Sequence, residues 1–357
     1  MAAHSGCRRW ALAALLTASF LISTAPAPAK AVSTAPAKGR DRPLTVGGPG
    51  VVLDLAGPGV ARFTATTAGQ RLSVVARRKT LTAGDNTDLV IRHDGADVAE
   101  GTLLTTWSDL TVDFTAPAPG AYTVEVRPRA AQDHGTLQLS LAGTTTGTLT
   151  AGGSSRLVSI GKPGERAFLG FETVAGRQLT LVARRGSIAR DEYTHLEVRG
   201  PGGEVQTAGA VGYEADYRTL DFTTTVGGRH TVEINPDTLG TGTLTVQLVG
   251  TVTAELTPGK PTRLTLTRPG ERARVTFPAA ENDQFRLTAR RTTLTGSEPT
   301  RLRLTTPVGL AVADGALTTA TPEVTLPFSA SAGTYTLEVD PEGLDTGSLT
   351  LELTKPT

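Results

Sequence analysis

The chain repeats itself three times at a spacing near 106 residues, and that repetition sets what it can fold into. Ala76-Arg77-Arg78 recurs as Ala183-Arg184-Arg185 and as Ala289-Arg290-Arg291. A second segment reads Gly120-Ala-Tyr122-Thr-Val-Glu125, then Gly228-Arg-His230-Thr-Val-Glu233, then Gly333-Thr-Tyr335-Thr-Leu-Glu338. A third closes each copy: Gly135-Thr-Leu137, Gly242-Thr-Leu244 and Gly347-Ser-Leu349. Each copy also begins alike, at Gly57-Pro58-Gly59, Lys162-Pro163-Gly164 and Arg268-Pro269-Gly270. A solenoid repeat is about 20–50 residues long, so a period this large means domain-sized units in a row. The copies fall at 43–143, 144–250 and 251–357, with short joins at Ala142–Gly147 and Val249–Val252.

Within each copy the apolar residues alternate. Leu72, Val74 and Ala76 share one strand face, as do Leu179, Leu181 and Ala183, and Phe285, Leu287 and Ala289. A period of two with one apolar face describes a half-buried antiparallel strand. Gly and Pro clusters break the chain every 8–15 residues, and no stretch keeps a 3.6-residue period. The composition agrees: 59 of the 357 residues are Thr, whose branched β-carbon suits a pleated surface. The predicted fold class is all-β, three tandem antiparallel β-sandwiches of jelly-roll type, with seven or eight strands each. The ring after each glycine, Tyr122, His230 or Tyr335, is expected to pack in the core.

Residues 1–29 read as a cleaved secretory signal peptide. Arg8 and Arg9 precede an apolar run from Trp10 to Ile22, and Ala27-Pro28-Ala29 offers a small-x-small cleavage site. The run is shorter than the roughly 20 residues that span a bilayer, and no later segment qualifies, so no transmembrane segment is expected. The arginine pair leaves the Sec and twin-arginine routes open. Residues 30–42 form a flexible Ala/Pro/Lys leader. Cys7 is lost with the signal peptide, so the extracellular chain must hold together by apolar burial alone. Cleavage leaves 33 basic residues against 34 acidic ones, a balance that argues against nucleic-acid binding.

The order of these segments resembles the bacterial pre-peptidase C-terminal domain and its relatives. Copy 2 is nearest, with Leu196-Glu-Val198-Arg-Gly200-Pro-Gly202-Gly203 ahead of the Gly-x-aromatic-Thr-x-Glu segment. The resemblance covers nearly all of the chain after the leader, through short motifs. It implies a jelly-roll-like sandwich, found in that family behind secreted peptidases or in tandem on exported proteins, some of which bind calcium or matrix polymers. Here a signal-like segment, not a peptidase, stands ahead of the copies, and the aspartate-rich calcium pattern is thin.

The residue types that carry catalysis are sparse. His4, His93, His134, His195 and His230 fall at unrelated positions within the copies, and neither a zinc-binding histidine pair nor a nucleophile elbow appears. The arginine pairs divide by parity. Arg78, Arg185 and Arg291 share the parity of the core, and an acid follows each by seven residues, so Arg78–Asp85, Arg185–Glu192 and Arg291–Glu298 are expected as structural ion pairs. Arg77, Arg184 and Arg290 face outward and form a candidate binding set for anionic wall polymers. Asp85, Asp88, Asp191 and Glu192 supply hard oxygens for a possible calcium ion, short of the roughly 6–8 that calcium takes. Trp107, with Tyr213 and Tyr217 in a similar stretch of copy 2, is read as packing rather than as a sugar platform.

The expected function is that of a secreted, non-catalytic multi-module protein that binds or spaces at the cell envelope or matrix. Its partner is a cell-wall polymer, a polysaccharide or another exported protein. The alternatives are a secreted hydrolase with a site between modules and an accessory partner of an exported enzyme.

Overall fold

The computed structural model describes residues 42–189, 193–213, 215–237, 239–296 and 298–355. The signal segment and most of the leader lie outside these residues, as do Asp191 and Glu192. Every regular element described is a strand, and no described helix is long and apolar enough to cross a membrane.

Module 1 consists of β1 (Arg42–Pro43), β2 (Val51–Leu55), β3 (Gly59–Ala65), β4 (Arg71–Arg78), β5 (Thr87–His93), β6 (Ala96–Leu103), β7 (Asp109–Thr115), β8 (Gly120–Pro128) and β9 (Gly135–Ala142). Module 2 follows with β10 (Thr144–Thr148), β11 (Arg156–Ile160), β12 (Arg166–Thr173), β13 (Gln178–Arg185), β14 (Thr194–Arg199), β15 (Val205–Val211), β16 (Tyr217–Thr223), β17 (Gly228–Pro236) and β18 (Gly242–Gly250). Module 3 has β19 (Val252–Glu255), β20 (Thr262–Leu266), β21 (Ala273–Ala279), β22 (Gln284–Arg291), β23 (Thr300–Thr305), β24 (Ala311–Leu317), β25 (Glu323–Ser329), β26 (Gly333–Pro341) and β27 (Gly347–Thr354). Equivalent strands differ by nine in number.

Each module is a sandwich of a five-stranded and a four-stranded sheet. In module 1 the orders are β1-β3-β8-β5-β6 and β2-β9-β4-β7, and both recur strand for strand in modules 2 and 3. The pairings are antiparallel except at the first strand, which runs parallel to the third. That first strand is the ninth, one more than the alternation predicts. It arises from the joins: Thr144–Thr148 pairs with Arg166–Gly170, and Val252–Glu255 with Ala273–Thr276. These stretches, the first with four threonines in five residues, satisfy backbone groups at an otherwise open sheet edge.

Three separate cores lie between the sheets, spanning Leu44–Leu141, Leu149–Leu248 and Leu256–Leu353. Each centres on a cross-strand ring pair in register. Phe63 stacks on Tyr122 at 5.1 Å, Phe171 on His230 at 5.2 Å and Phe277 on Tyr335 at 5.7 Å. His230 is thus a packed ring, as expected, with Nδ1 on the Gly228 carbonyl and Nε2 beside Gln206. Truncating such a ring typically costs about 3–5 kcal/mol against a net stability of about 5–15 kcal/mol. The glycine that opens each last strand is forced by close approach. A Cβ at Gly135, Gly242 or Gly347 would meet backbone atoms at 2.4, 2.6 and 2.2 Å, and φ lies at +127°, +140° and +125°.

Candidate functional site

The modules meet through one device used twice. Copies 2 and 3 carry the same tetrapeptide ahead of their third strand, Pro163-Gly164-Glu165-Arg166 and Pro269-Gly270-Glu271-Arg272. Each begins a type II turn. Proline occupies the second position, glycine takes positive φ at the third (+77° and +73°), and the Glu165 and Glu271 amides donate to the Lys162 and Arg268 carbonyls at 3.0 and 3.1 Å. The glutamate braces the turn from inside. Glu165 accepts from the Gly161 and Lys162 amides, and the buried Glu271 from those of Thr267 and Arg268.

The turn of one module sits on the outer sheet face of the module before it. A Cβ at Gly164 would lie 2.3 Å from the Val75 side chain, and one at Gly270 would lie 2.4 Å from Val182. Val75 and Val182 point away from their own cores, yet they are only 3% and 2% exposed. The arginine that ends the tetrapeptide then reaches back across the joint. Arg166 pairs with Asp113 of module 1 and, at 2.8 Å, with Glu233 of its own module. Arg272 pairs with Asp221 of module 2 at 2.5 Å and with Asp340 of module 3 at 2.8 Å. Each aspartate on the receiving side is aimed by a neighbouring hydroxyl: Ser73 donates to Asp113 at 2.5 Å and Thr180 to Asp221 at 2.6 Å. Shared, partly buried charges of this kind depend on such additional hydrogen bonds. At the second joint, burial raises the Asp340 carboxyl to about 6. Asp221 and Glu342 push the same way, against the opposing pull of Arg272.

A cleft opens beside each joint. The one between modules 2 and 3 has a volume of about 1100 Å³, and the one between modules 1 and 2 about 670 Å³. In the smaller one, the Arg71 guanidinium of module 1 lies over the Phe168 ring of module 2, 4.0 Å from its centroid.

The residues singled out from sequence have mixed fates. The ion pairs Arg78–Asp85 and Arg291–Glu298 are corrected: both arginines bind carbonyl oxygens instead. Arg78 donates to Thr82, Leu104 and Trp107, and Arg291 to Leu294 and Gly296. A planar fork meets several carbonyls of the adjoining loops, for Arg78 both the one that follows it and the one between β6 and β7, more readily than one carboxylate on an exposed tip. Asp85 turns its carboxylate to the Asn86 amide. The acid that pins the module 1 loop is Asp133, whose oxygens accept from the Gly84 and Asp85 amides and from Thr82. The Asp85 amide contributes most to holding the Asp133 carboxyl below its usual range. At the same place in module 3, burial raises Asp345 while Arg291 opposes. In module 2, Arg185 pairs with Asp216 at 2.5 Å, and its expected partner Glu192 lies outside the described residues.

The outward arginines do not form one set. Arg77 lines the first joint with Lys162, Pro163 and Leu239 of module 2. Arg184 lies near Leu344 of module 3, and Arg290 is tied to Glu323 at 2.6 Å on an open face. Of the candidate calcium ligands, Asp88 gives both oxygens to Arg129 at 2.8 Å. No cluster of three or more such ligands forms among the described residues. Trp107 is half exposed at 49%, not packed as expected, and Tyr213 is exposed. The four described histidines stand apart; His195, for instance, forms an exposed pair with Asp237 at 2.8 Å.

Sequence reasoning missed the joint residues. Its signal was present, because Pro-Gly-Glu-Arg is identical in copies 2 and 3 and missing from copy 1, where the connection from Leu55 to Gly59 is three residues shorter than from Ile160 to Ala167.

No family model and no curated protein matches the chain in sequence. Among solved structures it has a distant likeness to PliG, a periplasmic lysozyme inhibitor of Aeromonas hydrophila, at 14% identity and TM-score 0.20, covering 30% of this chain and 99% of that one. A second is the M60 catalytic domain of Clostridium perfringens ZmpB with its two CBM51 domains, at 9% identity and TM-score 0.22; 85% of this chain and 34% of that one are covered. A third is the CUB1-EGF-CUB2 region of rat MASP-1, at 10% identity and TM-score 0.18, covering 58% and 100%. With TM-scores of 0.22 or less, these likenesses support no reading of activity.

Proposed function

We propose that the chain is a secreted, non-catalytic array that spaces or binds at the cell envelope or in the surrounding matrix, built from sandwiches of the pre-peptidase C-terminal kind. The observation that carries this reading is the repeated joint. A turn seated on a valine and an arginine shared between two modules restrict swing at both junctions, which suits a spacer more than a set of beads on a string. Export is supported by Arg8-Arg9, the apolar run and Ala27-Pro28-Ala29.

Small-angle scattering of residues 30–357 tests the spacer. The expected curve fits one fixed arrangement of the three modules, and the double variant Arg166→Ala/Arg272→Ala broadens it. An unchanged curve in the variant, or a wild type that already needs many arrangements, overturns the reading. N-terminal sequencing of the protein recovered from culture medium is expected to begin at Lys30; recovery only from cell lysate removes the export claim.

A further inference from the structure

The two joints share turn, valine and arginine, but they differ at the mouth of the cleft. At the first joint the mouth is covered by Arg71 on Phe168, and Glu233 is occupied by Arg166 and Arg199. At the second joint the equivalent positions hold Gln178 in place of Arg71, Arg274 in place of Phe168 and Thr305 in place of Arg199. The stack is gone and the cleft is larger. Arg274, Glu338 and Arg303 stand side by side across β21, β26 and β23, and Asp314 follows on β24. Neighbouring strands lie about 4.8 Å apart, so this row is roughly 14 Å long. All three lead residues are exposed, and none forms an ion pair among the described residues. The counterparts of Glu338 are engaged: Glu125 is held by Arg92 and Arg127, and Glu233 as above. Module 3 thus leaves two guanidinium groups and two carboxylates, those of Glu338 and Asp314, without an ion pair among the described residues in the larger of the two joint clefts.

Guanidinium forks match carboxylate or phosphate groups, whereas a carboxylate accepts from hydroxyls. A purely anionic polymer would meet repulsion from Glu338, Asp314 and Asp340. A neutral glycan would leave both arginines unused. We infer that the cleft between modules 2 and 3 binds an acidic carbohydrate chain, with Arg274 and Arg303 taking its anionic groups and Glu338 its hydroxyls. The inference deepens the reading of the chain as a binding array, at the same joint.

Fluorescence anisotropy at low salt tests it, with labelled polygalacturonate oligomers as the probe. Dextran supplies hydroxyls alone, polyglutamate supplies carboxylates alone, and a phosphate-bearing glycan separates the two anionic sources. The expected result is binding of polygalacturonate or the phosphorylated glycan at least about tenfold tighter than dextran and polyglutamate. Arg274→Gln/Arg303→Gln is expected to weaken it about tenfold and Glu338→Gln severalfold. Arg290→Gln, a charge removed from a different face, leaves it unchanged. Circular dichroism melts of these surface variants confirm folding. Failure of both acidic glycans to bind, equal binding of polyglutamate, or an equal loss from Arg290→Gln overturns the inference. These outcomes leave the scattering result untouched, and a loose joint with intact binding removes only the spacing role.

Discussion

The strand that receives the next module and the same strand in the last module use nearly the same sequence differently. In β4 and β13 the outward residues Ser73, Val75, Thr180 and Val182 are buried, because a Pro-Gly turn rests on them. In β22 the matching residues are Arg286 and Thr288, and Pro327 replaces the aspartate that an incoming arginine would need. At the opposite end, module 1 lacks the turn and the arginine together. The junction residues are thus kept at both internal junctions and altered on the outward sides of modules 1 and 3. The difference separates residues that build a sandwich, present in all three copies, from residues that join sandwiches, present at the two internal junctions.

Disturbing the turn should break this contrast most strongly. Gly164→Val or Gly270→Val combines positive φ with a clash against Val75 or Val182. A loss of roughly 2–4 kcal/mol of module coupling is expected. Calorimetry should resolve separate module transitions where the wild type melts with coupled ones. Removing the arginine is milder. Arg272→Ala should cost about 1–3 kcal/mol, between the values for exposed and buried pairs, because Arg272, Asp221 and Asp340 are each about one-third exposed. A melting temperature within error of wild type would remove the clasp from the account.

The two joints should also differ in pH dependence. Asp340 has a folded value of about 6 against an ordinary 3.8, so the folded chain holds more protons between about pH 4 and 6. Its contribution to stability is full below about pH 4 and is lost as the pH rises through 6. The expected loss is about 1–3 kcal/mol. Asp340→Asn, which copies Asn235 of the first joint, should flatten this component when denaturant midpoints of the two proteins are compared across the range. A difference that does not change with pH would refute it. The smallest effect is expected on the open face: Arg290→Gln breaks an exposed pair with Glu323 and should change stability by less than about 1 kcal/mol in the same assay.

Much of the sandwich was legible because its information is local. The alternation at Leu72, Val74 and Ala76 places those side chains between sheets, and the ring after Gly120, Gly228 or Gly333 falls where a partner phenylalanine waits in register. The arginine ties were misread because spacing along the chain says which acid is near in sequence, not which group a folded-back loop presents. Arg78 meets three carbonyls, and Asp133, 55 residues further on, takes the amides that Asp85 carries past it. The joint was half visible. Pro-Gly-Glu-Arg reads as a turn with a charged end, but its partners Asp113 and Asp221 belong to the module before.

Periodicity, repeated glycines and the choice of ring thus determined by themselves that three like sandwiches would form, since backbone geometry and apolar burial act within each copy. Which arginine meets which acid, which valine is covered and which cleft stays open were decided only when the modules packed together, because those contacts join groups that no local rule brings into range.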